Sequence, residues 1–309
     1  MVDQRLDLLE DWLAQFFADE NFVISKASDD ASFRRYFRIE RDNNTFIAMD
    51  APPEKENTQI FVEIATLLRA HQLHAPKIIE QDLTRGFLLL EDLGNTTLLQ
   101  KLKTQFDEQY YRDAIDEIIK IQRIQAPNVP SYDAKLLAQE MQLLIDWYLD
   151  KDLDDKTLNQ LKTLFAQLID NALQSQQVLV HRDYHSRNLM HLDDNTLAVI
   201  DFQDAVIGAQ SYDLVSLLKD AYFELEPTQQ QDLLRYYYQQ AGITEDFASF
   251  EKQFDLMGLQ RHLKVLGIFK RLSLRDHKHQ YLADIPLVKR YALEVAHKYP
   301  ECQFLSEIL

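Results

Sequence analysis

Apolar and polar positions divide the chain into a strand-rich beginning and a mainly helical remainder. Leu6, Leu9, Leu13, Phe16 and Phe17 fall near helical spacing, which predicts an amphipathic helix within residues 1–20. Residues 22–26 read as a strand, followed by the polar turn Ser28-Asp29-Asp30. In 35–39 the alternation places Phe37 and Ile39 on one face, and Asp42-Asn43-Asn44 is a hairpin signal. Residues 45–49 complete a three-stranded meander, which Pro52-Pro53 ends. Ile60, Ile64, Leu67 and Leu68 predict a helix over 57–70, residues 77–79 and 86–90 two further strands, and 91–94 a breaker. From about 95 helical patterns dominate, interrupted by short strands around 178–180, 188–191 and 197–200. The expected fold is α/β (α+β) in two lobes, 1–93 and 94–309.

Composition narrows the class of protein. The 309 residues are 46% apolar and 27% charged, ordinary for a soluble globular chain with a sizeable core. No apolar run reaches the length of a membrane span, so no membrane partner is expected. The first fifteen residues carry five charged side chains, unlike a signal peptide. A single cysteine, Cys302, rules out an internal disulfide framework and suits a reducing compartment, so the expected location is cytoplasmic. A net charge of −17 speaks against nucleic acid as a partner. It suits a cationic substrate such as an aminoglycoside, or it serves only solubility. There is no internal repeat, low-complexity segment or charged tail, and a monomer is expected.

Chemistry concentrates in one stretch. The apolar run Val178-Leu179-Val180 leads into His181-Arg182-Asp183-Tyr184-His185-Ser186-Arg187-Asn188, which reads H-R-D-x-x-x-x-N. Thirteen residues after Asn188, a second β-type run ends in Asp201. Phosphoryl transfer from ATP needs an acid to meet the acceptor hydroxyl and oxygen ligands for the Mg2+ on the phosphates. Asp183 is the candidate base, Asn188 and Asp201 the candidate metal ligands, and His181 a brace. The plain alternative is a polar surface loop, which the two flanking strands argue against. Asp213, in Tyr212-Asp213-Leu214, either caps the helix it opens or ties down the catalytic loop. Asp204 and Gln203 face substrate or serve as turn residues.

The phosphate side departs from expectation. Residues 28–33 contain no glycine, and Ala48-Met49 stand where a strand lysine belongs. Arg34, Arg35 or Lys55 supplies the missing charge, arginine being able to bind phosphate bidentately. Otherwise the chain binds nucleotide poorly and is a pseudokinase; the intact Asp183, Asn188 and Asp201 favour the first reading. Glu91, Asp92 and Leu93 are expected to meet adenine through backbone groups. In the helical segment 260–269, Arg261 and His262 either reach a sugar hydroxyl or carboxylate, or belong to an amphipathic helix whose basic residues face solvent or brace the acidic loops.

A resemblance extends over nearly the whole chain. It runs through Asp30-Ala31-Ser32-Phe33-Arg34-Arg35-Tyr36-Phe37-Arg38, Ala48-Met49-Asp50-Ala51-Pro52-Pro53, Phe87-Leu88-Leu89-Leu90-Glu91-Asp92-Leu93-Gly94 and the two acidic motifs. It continues in Tyr212-Asp213-Leu214-Val215-Ser216-Leu217-Leu218, residues 260–269 and Tyr281-Leu282-Ala283-Asp284. These residues resemble the aminoglycoside-phosphotransferase-like branch of the protein-kinase-like superfamily, which includes antibiotic, choline and homoserine kinases. Within it the chain looks most like the bacterial anomeric kinases of N-acetylmuramate and N-acetylglucosamine. The resemblance implies a small β-sheet N-lobe, a mostly helical C-lobe and an active site at a cleft near 93–95. It further implies ATP and Mg2+, a free reducing-end amino sugar as acceptor, and a 1-phosphate product in peptidoglycan recycling. The missing glycine loop and strand lysine depart from the superfamily and are typical of this branch. Another small-hydroxyl kinase, or a non-catalytic nucleotide-binding scaffold, remains the alternative.

Overall fold

A computed structural model describes residues 3–19, 21–28, 33–149 and 153–309. Residues 29–32 of the expected glycine-free loop, and with them Asp30-Ala31-Ser32 of the resemblance, lie outside the described residues. The chain forms two compact units, Met1–Thr96 with Met190–Gln203, and Thr97–Leu189 with Asp204–Leu309.

The first unit is built on a five-stranded sheet. Helix α1 (Gln4–Phe17) begins where the Asp3 carboxylate accepts the Leu6 N–H at 3.2 Å, and it buries Leu9, Trp12 and Leu13. Strands β1 (Val23–Ser28), β2 (Arg35–Arg41) and β3 (Asn44–Asp50) form the meander, and helix α2 (Thr58–Ala70) follows. Strands β4 (Ile78–Asp82) and β5 (Phe87–Glu91) complete the order β1-β2-β3-β5-β4. Asp42 and Asn43, with φ of 49° and 63°, make the tight β2–β3 turn, a left-handed geometry that these short polar residues tolerate. Ile39, Ala48, Phe87 and Leu89 point from the sheet onto α1, and both Ala48 and Met49 are fully buried. The strand position that lacks a lysine is therefore core.

A hairpin of Leu189–His191 and Leu197–Val199 joins this unit from far along the chain. His191 N–H donates to the Thr96 carbonyl at 2.8 Å, Val199 N–H to that of His74 at 2.7 Å, and Phe202 packs on Phe61. These bonds satisfy backbone groups that would otherwise be buried unpaired.

The second unit is mostly helical and is organised around the 30-residue helix Phe247–Asp276. That helix is enclosed on all sides from Met257 to Gly267, so it lacks the polar face of a surface helix. Leu259, Leu263 and Leu266 pack with Leu161, Leu164 and Leu168 and with Val288 and Val295. Gly267 permits a close crossing, because a Cβ there would lie 2.4 Å from the Leu143 carbonyl group. The strand Gln177–Val180 pairs antiparallel with Val206–Ala209, a short apolar run that periodicity alone does not mark as a strand. Among the described residues no helix is long and apolar enough to cross a membrane.

Candidate active site

The strand Gln177–Val180 delivers the chain into residues 181–188, and two buried carboxylates hold that loop. Asp213, in the first turn of the helix Tyr212–Leu218, accepts the His181 N–H at 2.7 Å and the Arg182 N–H at 3.0 Å. Arg182 has a φ of 76°, a left-handed turn of the kind that lets successive N–H groups converge on one anion. Asp213 is thus a tether for the loop rather than the helix cap; the N-cap residue is Ser211, without a side-chain capping bond. Burial pushes the Asp213 carboxyl up, against the pull of His181 and its two N–H donors. Asp220 accepts the Ser186 N–H at 2.9 Å and the Ser186 hydroxyl at 2.5 Å. Tyr184 donates its hydroxyl to the Ala114 carbonyl, and Asp183 N–H donates to His181 Nδ1 at 3.3 Å. Asn188 Nδ2 donates to the Asp183 carbonyl at 3.0 Å, which orients its amide.

Asp183 is partly buried, and among the described residues no hydrogen bond reaches its carboxylate oxygens. Burial would raise its carboxyl, but Lys264, then His185, Arg261 and Arg182 outweigh that and hold it down to about 2. Burial also pushes His185 down to about 4, against the opposing pull of Asp220 and Asp183. At neutral pH the cations beside Asp183 are therefore Lys264, Arg261 and Arg182. Arg261 is buried and its Nη1 has no hydrogen-bond partner among the described residues. Lys264 Nζ lies 3.0 Å from Glu140 Oε1 and donates to the Tyr212 hydroxyl at 3.2 Å. Arg182 pairs with the same carboxylate, which also accepts the Tyr132 hydroxyl.

The first unit assembles a second group. Asp201, with φ of 65°, follows the strand Leu197–Val199 and accepts from Gln203 Nε2 at 2.7 Å. Arg34 Nη2 stands 3.6 Å from Asp201 Oδ1, and Arg34 Nη1 stands 3.3 Å from Glu56 Oε2. Arg35 is engaged elsewhere: its Nε donates to Asp50 at 2.9 Å and its guanidinium pairs with Asp3, while Arg5 also donates to Asp50. Lys55 Nζ sits 5.3 Å from the Phe33 ring centre. After β5, Glu91 accepts the Lys77 N–H at 3.0 Å. Asp92 accepts from Arg38 at 2.7 and 2.9 Å and from the Gly94 N–H at 2.9 Å. Leu93 is partly buried. Those two acidic side chains shape the segment, and backbone groups are what it has left to offer a base.

Asp201 and Asn188 both present oxygen, the donor that a hard divalent cation takes. Among the described residues no group of three or more His, Cys, Asp or Glu could hold a metal unaided. Each of those two oxygens is the kind that magnesium takes, an ion held by one or two protein oxygens that completes its shell with phosphates and water.

Asp204 is exposed, and its carbonyl accepts from Arg182 Nη1 at 3.3 Å. His262 has no exposed surface, stacks on Tyr291 at 5.2 Å, and contacts the Lys219 carbonyl through Nε2. Burial lowers its pKa well below the usual histidine range. Neither Arg261 nor His262 faces solvent, because the helix that carries them is enclosed there. Sequence reasoning missed Asp220, Glu140, Lys264 and Arg38. Lys264 falls three residues after Arg261 on the same helix, a spacing that a single-face reading could have used; Asp220 lies beyond the end of the helix Tyr212–Leu218, where no such spacing marks it.

A model described as the phosphotransferase enzyme family matches residues 23–249. The N-acetylmuramate/N-acetylglucosamine kinase of Pseudomonas putida is 42% identical over 328 aligned positions, covering 99% of this chain and 96% of that one. Among solved structures, the choline kinase LicA of Streptococcus pneumoniae superposes with a TM-score of 0.70 at 11% identity, covering 94% of this chain and all of that one. The ADP-bound aminoglycoside phosphotransferase APH(2'')-Ib gives 0.63 at 18% identity, covering 93% and 98%. At such identities the structural likeness speaks to fold alone, and it is the fold of kinases.

Proposed function

The chain belongs to the phosphotransferase enzyme family, and from that premise we propose that it transfers the γ-phosphoryl group of ATP to the anomeric hydroxyl of N-acetylmuramate and N-acetylglucosamine. One observation carries the chemistry: Asp183 sits on a loop held at both ends, ionised, with no hydrogen bond on its carboxylate among the described residues. The acceptor is supported by the 42% identity, over almost the full length, to a kinase named for those two sugars.

In this reading the sugar O1 hydroxyl donates its hydrogen bond to Asp183. As O1 attacks the γ-phosphorus, its proton passes to that carboxylate and ADP leaves. The products are ADP and a sugar 1-phosphate. Asn188 and Asp201 are the residues that hold magnesium, whose charge neutralises the β- and γ-phosphates when bound. Arg34 supplies the cation that β3 lacks, since it stands beside Asp201 while Arg35 is committed to Asp50. Backbone groups of Glu91, Asp92 and Leu93 meet adenine. Asp204 and Arg261 are assigned to the acceptor side. The protein acts as a monomer in the cytoplasm, and the 1-phosphate returns cell-wall sugar toward nucleotide-sugar synthesis.

The test is ATP consumption across the two amino sugars, an aminoglycoside, choline and homoserine, with the product examined for reducing power and acid lability. A non-reducing, acid-labile phosphosugar is expected. A reducing, acid-stable phosphosugar rejects transfer to O1, and turnover only with an amino alcohol or aminoglycoside rejects the acceptor class. Mg-ATP binding without turnover on any of them supports a non-catalytic scaffold. Asp183→Asn is expected to lower kcat by about 10²-fold or more while Mg-ATP still binds, the usual effect of removing a general base. Near-normal turnover in that variant removes Asp183 from the mechanism.

A further inference from the structure

A carboxylate on an acceptor sugar has to be met by a cation, all the more in a chain whose net charge is −17. In the second unit an exposed guanidinium is placed for that work. Arg187 lies on the loop that carries Asp183, and its Cζ stands 3.5 Å from the centre of the Tyr222 ring. A guanidinium over a ring uses its face, so its in-plane N–H donors stay open. Among the described residues the Arg187 side chain makes no hydrogen bond and no ion pair.

The stack is fixed from both sides. One oxygen of the buried Asp220 accepts the Ser186 N–H and hydroxyl, and the other accepts the Tyr222 N–H at 2.9 Å. A single carboxylate thereby sets both the residue before Arg187 and the ring beneath it. That ring also meets His185 edge-on at 5.1 Å and Phe269 at 6.4 Å. Of the charged groups around the stack, Asp220 is occupied by those donors and Arg261 is buried. Asp284 lies near both Arg187 and Lys103 but forms an ion pair with neither.

We propose that Arg187, held on Tyr222, pairs with the lactyl carboxylate of N-acetylmuramate and so separates the two amino-sugar acceptors; the inference rests on the acceptor reading given above. The two sugars differ only in that ether-linked group on O3, next but one to the anomeric carbon. Asp183, which receives the O1 proton, lies four residues from Arg187 on the same clamped loop. The planar fork of a guanidinium matches a carboxylate bidentately. Arg34, Asp201 and residues 91–93, assigned to the nucleotide, belong to the first unit, whereas the stack belongs to the second.

The test compares kcat/KM for N-acetylmuramate, its methyl ester and N-acetylglucosamine in the wild-type chain, Arg187→Met and Arg187→Lys. In Arg187→Met the ratio of N-acetylmuramate to N-acetylglucosamine is expected to fall about 10- to 100-fold, the scale of a lost charge-assisted hydrogen bond, with the loss in KM rather than kcat. The wild-type chain should favour the acid over its methyl ester by a similar factor, and Arg187→Met should treat the two alike. Arg187→Lys keeps the charge without the fork and should retain only part of that preference. Should Arg187→Met not fold, the drop in preference in Arg187→Lys decides. An equal fall with both sugars, which loss of a phosphate contact would give, overturns the inference, as does an acid-over-ester preference that survives Arg187→Met or is absent from the wild-type chain. In those cases the acceptor reading stands as long as both sugars are phosphorylated. If the wild-type chain phosphorylates neither sugar, the acceptor reading falls and takes this inference with it.

Discussion

Replacing Asp213 with Asn tests how the catalytic loop is held. In the wild-type chain one buried carboxylate accepts two consecutive backbone N–H groups, at 2.7 and 3.0 Å. Asparagine keeps one carbonyl oxygen for one of them and turns an NH2 toward the other. One charge-assisted bond, worth about 1.5–3 kcal/mol, is lost and a buried N–H is orphaned. Arg182 meanwhile keeps its φ of 76°, a conformation costing about 1–3 kcal/mol that the surroundings must sustain. A net loss of about 3 kcal/mol is expected, equivalent to about 6 °C at the low end of the shift per kcal/mol for large domains. Because that loss falls on the loop carrying Asp183 and Asn188, kcat should fall about 10²-fold, the scale of a 1 Å misplacement. The assay pairs thermal denaturation with kcat at saturating substrates, and includes Asp213→Ser, which can cap a helix but cannot span two N–H groups. If Asp213→Asn turns over like wild type, or Asp213→Ser restores full activity, the tether is refuted and the carboxylate is only a helix-terminal acid.

Two other perturbations separate neighbouring roles. Arg34→Met should weaken Mg-ATP binding by about tenfold, one lost cation-phosphate contact, whereas Arg35→Met should lower thermal stability by stripping a donor from fully buried Asp50 and leave nucleotide affinity intact; equal effects on affinity would undo the choice of Arg34. His262 has a folded-state pKa depressed by burial, so its contribution to stability is complete above the unfolded value of about 6.5 and is lost as pH falls below it. The urea midpoint should therefore drop between pH 7.5 and 5.5 less steeply in His262→Gln than in the wild-type chain, and parallel slopes would contradict the assignment.

Much of the first unit was legible from periodicity. The meander, the helix over 57–70 and the two later strands recur within a few residues of their predicted bounds, because strands with one buried face and turns of Asp and Asn carry local signals. The acidic motif was legible for a similar reason: residues 181–188 lie between two apolar strands. The strand Val206–Ala209 was not, since four apolar residues have no period to read. The enclosed helix Phe247–Asp276 read as amphipathic because its basic residues look like a solvent face until their buried partners are known.

Residue types and spacing alone were enough to identify phosphoryl-transfer chemistry and the unusual absence of a strand lysine, since both are local patterns. They could not assign Asp213 as a tether, tell Arg34 from Arg35, or reveal Glu140 beside Lys264. Those assignments depend on which groups meet across 15, 31 or 124 positions of sequence (Arg35 with Asp50, the Arg182 N–H with Asp213, Lys264 with Glu140). Charge compensation acts over a few ångströms of space and is indifferent to distance along the chain, so only packing determines which cation serves which carboxylate.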